Sequence, residues 1–242
     1  MNIKDLKNLD CDTLLYLARV SEQSERYDEM ASYINGFARK TNKELSVEER
    51  NILSVAYKNV LGCRRAAWRI LCSLENSENS IRSEEQKMLA KAYRLEVENE
   101  IEKSCREIID LLDSKLIISA SSSEAQVFYL KLKGDYYRYM CEFLTNEGRN
   151  ENCIKALNAY QEAENIAINE LQGTNPIRLG VSLNFSVFLI EVMKDSDSAK
   201  QMSQKAFDEA MTEIDLLGNE TFKESTLILQ LLRDNLVLWS SS

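Results

Sequence analysis

The chain has 242 residues, 44% of them hydrophobic, which suffices for a large buried core and excludes a disordered polymer. Its formal net charge of −9 argues against broad binding to nucleic acid or to an anionic membrane surface, since both need an excess of Lys and Arg. One proline and seven glycines are too few for the turns of an all-β or α/β protein, so the expected class is all-α: about nine antiparallel helices in one domain.

The first segment, MNIKDLKNLDCD, lacks the apolar run of a signal peptide, and no 18 uncharged apolar residues occur together. Neither secretion nor membrane spanning is indicated, and a cytoplasmic protein is expected. Leu14, Leu15, Leu17, Ala18 and Val20 give a helix over 12–25, and 27–40 gives another. Ser46, with Glu49 three residues on, has the pattern of a capping box and opens a long helix to about Leu74.

That helix carries two signals. Ile52, Leu53, Ala56, Val60, Cys63, Ala67, Ile70 and Leu71 fall on one side, while Lys58, Arg65 and Arg69 fall on the other. Seven residues of helical rise put Lys58 and Arg65 roughly 10 Å apart along the axis, within reach of one shared anion. Cations on a solvent face are ordinary, but here no Asp or Glu intervenes between residues 51 and 74 of an acidic chain. A local basic stripe of this kind calls for a partner.

Asn76, Ser77, Asn79 and Ser80 mark the end of the helix, and Ser83-Glu84-Glu85-Gln86 opens one of roughly thirty residues. A serine-rich connection at 119–123 leads to a helix over 124–145, where Lys131, Arg138 and Glu142 share a face and Tyr139 flanks them. Residues 146–150 are expected to close it, and 151–171 to form the next helix. Gln172 to Pro176 is the clearest break, with the proline placed to start a helix that ends near Lys194. Asn184 and Glu191 lie on one face of it.

Helices over 197–217 and 223–239 complete the chain, with no visible domain boundary, so a single domain over 1–242 is expected. The stretch AYQEAENIAINE has the look of a tetratricopeptide helix, but no 34-residue period is sustained. The last helix is apolar on nearly all sides. Asn235 within the stripe of Ile228, Leu231 and Leu238 suits a groove in which an amide meets an extended peptide backbone.

The six cysteines show no C-x-x-C pair and are expected to stay as thiols. Histidine is absent, which removes the commonest general base, the Ser-His and Cys-His pairs and most zinc sites. The Glu-x-x-His motifs of helical-bundle metalloenzymes are missing too. No enzyme and no cofactor are expected.

RNILSVAYKNV (50–60) and STLILQLLRDNLVLW (225–239) resemble the two signature segments of the 14-3-3 family. VFYLKLKGDYYRY (127–139) and NPIRLGVSLNFSVF (175–188) are also similar to family segments, so the likeness runs from about Leu14 to Trp239. The resemblance implies a nine-helix, tetratricopeptide-like superhelical protomer, dimerised into a cup, that binds phosphoserine or phosphothreonine peptides of client proteins.

Carried over residue by residue, the resemblance assigns Lys58, Arg65, Arg138 and Tyr139 to the phosphate. It assigns Asn184 and Asn235 to the peptide backbone, with Glu191 as their acidic neighbour. Lys131, Leu183, Val187, Leu227, Ile228 and Leu231 match other groove positions; Arg69 supports the basic cluster and Asp135 orients it. Val20, Arg26, Leu74, Tyr93 and Glu100 match the dimer interface, with Arg26 and Glu100 as a pair across it. The implied partner is a second copy or a paralogue. Ala66 and Ala67 stand where many members have serine. The competing reading is a phosphate-independent helical scaffold.

Overall fold

The structure, a computed structural model, describes residues 6–76, 84–214 and 218–241. Among them are nine helices of thirteen residues or more and no strand. They are α1 (Cys11–Gln23), α2 (Tyr27–Lys40), α3 (Val47–Glu75), α4 (Glu84–Leu111), α5 (Ser123–Cys141), α6 (Asn146–Glu170), α7 (Pro176–Phe188), α8 (Ser196–Glu213) and α9 (Asn219–Ser240). The protein is all-α. Its contacts fall into two compact units, Met1–Ile118 and Ser119–Ser242.

In the first unit, α1 to α4 pack on one another in sequence order. Asp10 caps α1 by accepting the Thr13 amide at 2.8 Å. The α3 capping box is formed in both directions: the Glu49 amide donates to Ser46 Oγ at 3.2 Å, and the Ser46 amide to Glu49 Oε2 at 2.7 Å. Leu14, Met30, Ile34, Leu53, Tyr57, Leu61, Ile101 and Ile108 make the core. Tyr57 sits in a polar seam within it, accepting from Asn35 Nδ2 at 2.7 Å and donating to Glu107 Oε1 at 3.3 Å. Beyond α4 the backbone continues through a π-helical turn, Leu112–Leu116, to Ile117–Ser119.

Two apolar assignments on α3 need correction. Cys63 and Ile70 are exposed, although both belong to the apolar side of the helix. Both lie in its second half, where buried positions thin out after Leu61 and only Leu71 is fully covered within the chain. The expected stop at 77–80 and the start at Ser83 lie outside the described residues.

In the second unit α5 and α6 form a hairpin, and α7 packs against α5, α6, α8 and α9. The expected helix over 124–145 ends earlier, at Cys141. Residues 146–150, expected to close it, instead begin α6. The physical reason is local: Asn146 takes a left-handed conformation (φ 53°), which turns the chain and leaves only 142–145 as the connection. Glu142 therefore caps α5 rather than continuing its face.

Asn175 caps α7 by accepting from the Ile177 and Arg178 amides at 2.8 and 3.3 Å, with Pro176 in the first turn. α7 passes into a π-helical turn, Leu189–Met193, closed by Lys194 at φ 61°. By length and composition Pro176–Met193 could cross a membrane, with a mean hydropathy of 1.4. Its Leu179, Val181, Phe185 and Phe188 are buried in this unit, however, so the apolar character of the helix is explained by packing.

Candidate functional site

The residues expected to bind phosphate occur in both units, and those of the first unit are on α3. Lys58 and Arg69 are exposed and Arg65 is half-buried, as expected for the basic stripe. The adjacent Arg64 is engaged elsewhere: it donates to Asp28 Oδ1 and to Glu100 Oε2, each at 2.9 Å. The sequence-neighbour arginines thus differ in role, one tying α3 to α2 and α4 and the other on the stripe.

The second unit shows the more developed arrangement, centred on Asp135 of α5. Its carboxylate is buried and accepts four hydrogen bonds from three side chains, with an arginine as a further ion-pair partner. Lys131 Nζ donates to Oδ2 at 2.9 Å, Tyr160 Oη to Oδ1 at 2.5 Å, and Asn184 Nδ2 to both oxygens at 2.8 and 2.9 Å; Arg138 stands 3.5 Å from Oδ1. Burial by itself would raise this carboxyl, but Lys131 and Arg138 outweigh it and hold the group below its ordinary value.

Arg138 is fixed by the same network. Its Nε donates to Tyr160 Oη at 3.2 Å, and its guanidinium carbon lies 4.7 Å from the centroid of the Tyr139 ring. Burial tends to lower the Arg138 pKa, yet Tyr160 and Asp135 keep it well above the ordinary value, so the charge is permanent. Two cations, Lys131 and Arg138, face one anion, Asp135, which leaves one positive charge in excess. A guanidinium carries five N–H groups, more than these two contacts use. The cluster therefore has both the charge and the donors for an anionic ligand.

Tyr160, which sequence reasoning missed, is the centre of the positioning. Its ring stacks on Phe185 at 5.3 Å, and a Cβ at position 134 would meet that ring at 2.8 Å, so only glycine lets α5 and α6 approach this closely. Gly134 immediately before Asp135, together with a tyrosine on the following helix, was the available signal. Which α6 residue faced it was not readable from periodicity.

Apart from Lys131 on α5, the expected groove residues are distributed over α7, the π-helical turn that follows it, which carries Glu191, and α9. Leu183 and Ile228 pack against the core cluster of Leu179, Ala210, Ile214, Leu229 and Leu232. Val187 and Asn235 are half-buried, whereas Leu227, Leu231 and Glu191 are exposed. Asn184, expected to meet a peptide backbone, has its amide N–H groups on Asp135, so its carbonyl oxygen is the part left for other donors.

Of the expected dimer residues, Val20, Tyr93, Arg26 and Glu100 are exposed and Leu74 is half-buried. Arg26, at the N-cap of α2, pairs with Glu29 in the first turn of that helix, and Glu100 with Arg64. Both members of the expected cross-dimer pair thus have partners within the chain.

The family profile described as "14-3-3 protein" matches residues 17–240. The chain is 51% identical over 237 residues to 14-3-3 protein 10 of Solanum lycopersicum, covering 97% of this chain and 94% of that one. It is 52% identical over 228 residues to 14-3-3-like protein C of Nicotiana tabacum, with coverage of 94% and 88%. To 14-3-3-like protein GF14 nu of Arabidopsis thaliana it is 51% identical over 228 residues, with coverage of 94% and 86%.

Proposed function

Because the chain belongs to the 14-3-3 family, we propose that it is a dimeric adaptor that binds client proteins at phosphoserine or phosphothreonine motifs held in an extended conformation. The family is one of phosphopeptide-binding adaptors rather than enzymes. The observation that carries the finer reading is the Asp135 hub. It fixes Arg138 in place, with Tyr139 against it and one positive charge in excess, which suits a dianionic phosphate. Lys58 and Arg65, with Arg69 in support, are proposed as further phosphate-binding residues on the family resemblance.

Asn184 and Asn235 are proposed to hold the peptide backbone beside Glu191 and Lys131. Leu183, Val187, Leu227, Ile228 and Leu231 are proposed as the apolar contacts. Exposed Leu227 and Leu231 support that role, since large apolar side chains in water mark binding surfaces when they cluster. Dimerisation is supported by exposed Tyr16, Val20, Met88, Leu89 and Tyr93 in the first unit. A cytoplasmic location is proposed with this role.

Charge reversal tests the reading. Lys58→Glu and Arg65→Glu are each expected to abolish phosphopeptide binding with helical content unchanged, because the stripe lies outside the core. Retained micromolar or tighter binding by either variant overturns the assignment.

A further inference from the structure

We infer that Cys141 and Cys153 are an oxidisable thiol pair that closes to a disulfide across the α5–α6 hairpin when a small disulfide such as oxidised glutathione reaches it. Cys141 is the last residue of α5, Cys153 lies in the second turn of α6, and only residues 142–145 connect the helices. The hairpin therefore places two sulfurs twelve positions apart in sequence at 3.0 Å from each other. A disulfide bond measures about 2.05 Å, so closure asks for a movement of about 1 Å. They are also the two cysteines of residues 119–242, which leaves neither a competing partner in its own unit.

The surroundings favour a pair that reacts slowly and with each other. Both side chains are buried, Cys153 slightly less so. Cys153 donates to the Cys141 sulfur, and Cys141 donates to the Tyr137 carbonyl at 3.3 Å. Burial first, and then Cys153, push the Cys141 thiol up, while Arg149 and Arg138 pull the other way. Arg149 also fastens the turn, donating from Nε to the Cys141 carbonyl at 3.3 Å and from Nη2 to the Val192 carbonyl at 3.3 Å.

The exchange balances without any other reagent. The Cys153 thiolate attacks one sulfur of oxidised glutathione, forming a mixed disulfide and releasing one glutathione thiolate. The Cys141 sulfur, on losing its proton to solvent, then attacks the Cys153 sulfur and displaces the second glutathione. Two protein thiols are oxidised, one glutathione disulfide is reduced to two thiols, and the two protons end on the released glutathiones. The bridge fastens the end of α5 one turn beyond Arg138.

The test uses the full chain, reduced, desalted and exposed while folded to oxidised glutathione, at a concentration raised until exposed Cys63 carries glutathione. Remaining thiols are then alkylated under denaturing conditions and the protein is digested with trypsin without reduction. Cleavage after Arg138, Arg149 and Lys155 separates residues 139–149 from 150–155, so a bridge appears as these two peptides linked. The expected result is that linked pair, abolished by reductant and absent from Cys153→Ser, together with a higher melting temperature of the oxidised wild type. Recovery of Cys141 and Cys153 as alkylated thiols overturns the inference, as does recovery as two glutathione adducts or with either one bridged to another cysteine.

Discussion

Tyr160 Oη lies 2.5 Å from Asp135 Oδ1 and 3.2 Å from Arg138 Nε, so one phenol joins the buried anion of the site to its principal cation. The phenol donates to the carboxylate and accepts from the guanidinium, which sets the orientation of both. Tyr160→Phe keeps the ring packing and removes only this link. A loss of about 1–3 kcal/mol in unfolding free energy is expected, because a buried charged acceptor and donor each lose a partner. Phosphopeptide affinity should fall with it. Urea titration and peptide binding measure the two effects; an unchanged variant in both would show that the phenol positions nothing.

Gly134→Ala tests the approach of α5 to α6. Alanine gains about 1 kcal/mol in helix propensity over glycine. The new Cβ would meet the Tyr160 ring at 2.8 Å, and that ring is held against Phe185 and Phe188. Overpacking of this kind costs about 1–3 kcal/mol, so net destabilisation is expected in urea titration. A variant more stable than wild type would contradict the packing described.

Acid and alkali should act on the same cluster from opposite sides. The Asp135 carboxyl lies below its ordinary value in the folded protein, so its contribution is present above about pH 4 and is lost as pH falls through the lower folded value. Burial and Asp135 raise Tyr160 well above its ordinary value, so its contribution is full below about pH 10 and declines as pH rises beyond that. Stability measured against pH should therefore fall less steeply for Asp135→Asn below about pH 4, and for Tyr160→Phe above about pH 10. Slopes parallel to wild type would show that neither group is coupled to folding.

Ala67 lies on a cleft of about 550 Å³ in the first unit, which it lines with Glu25, Arg26, Asp28, Glu29, Arg64 and Glu100. Four acids against two arginines make this wall acidic. Ala67→Glu adds a fifth carboxylate on a face proposed to meet a second copy, so a shift towards monomer is expected. The wild-type dimer should tighten as salt screens the like charges. Sedimentation of both proteins across a salt series decides this: an Ala67→Glu variant as dimeric as wild type, or a wild type that dissociates with salt, would contradict it.

Local signals were readable in the sequence where a side chain acts on its own helix. The Ser46–Glu49 box, the Asn175–Pro176 start of α7 and the span of α2 follow from capping and periodicity, and the structure has all three. The end of α5 was misplaced because a left-handed Asn146 carries no periodic signature. Exposed Ile70 shows the same limit, since periodicity defines an apolar face but not how far along the helix a neighbour covers it. The Asp135 hub was legible only in part. Lys131 and Arg138 follow from spacing along α5, whereas Tyr160 and Asn184 reach Asp135 from α6 and α7, across a packing that no single helix encodes.

The proposed function turns on recognition of phosphate by this protein. Fluorescence polarisation of one Arg/Ser-rich peptide, prepared with and without a single phosphoserine and titrated at one ionic strength, tests it most directly. Saturable binding of the phosphorylated peptide is expected. The unphosphorylated form should bind at least about tenfold more weakly, the equivalent of about 1.4 kcal/mol and no more than one charge-assisted hydrogen bond contributes. Equal affinities for the two peptides would contradict the account and leave a phosphate-independent helical scaffold in its place.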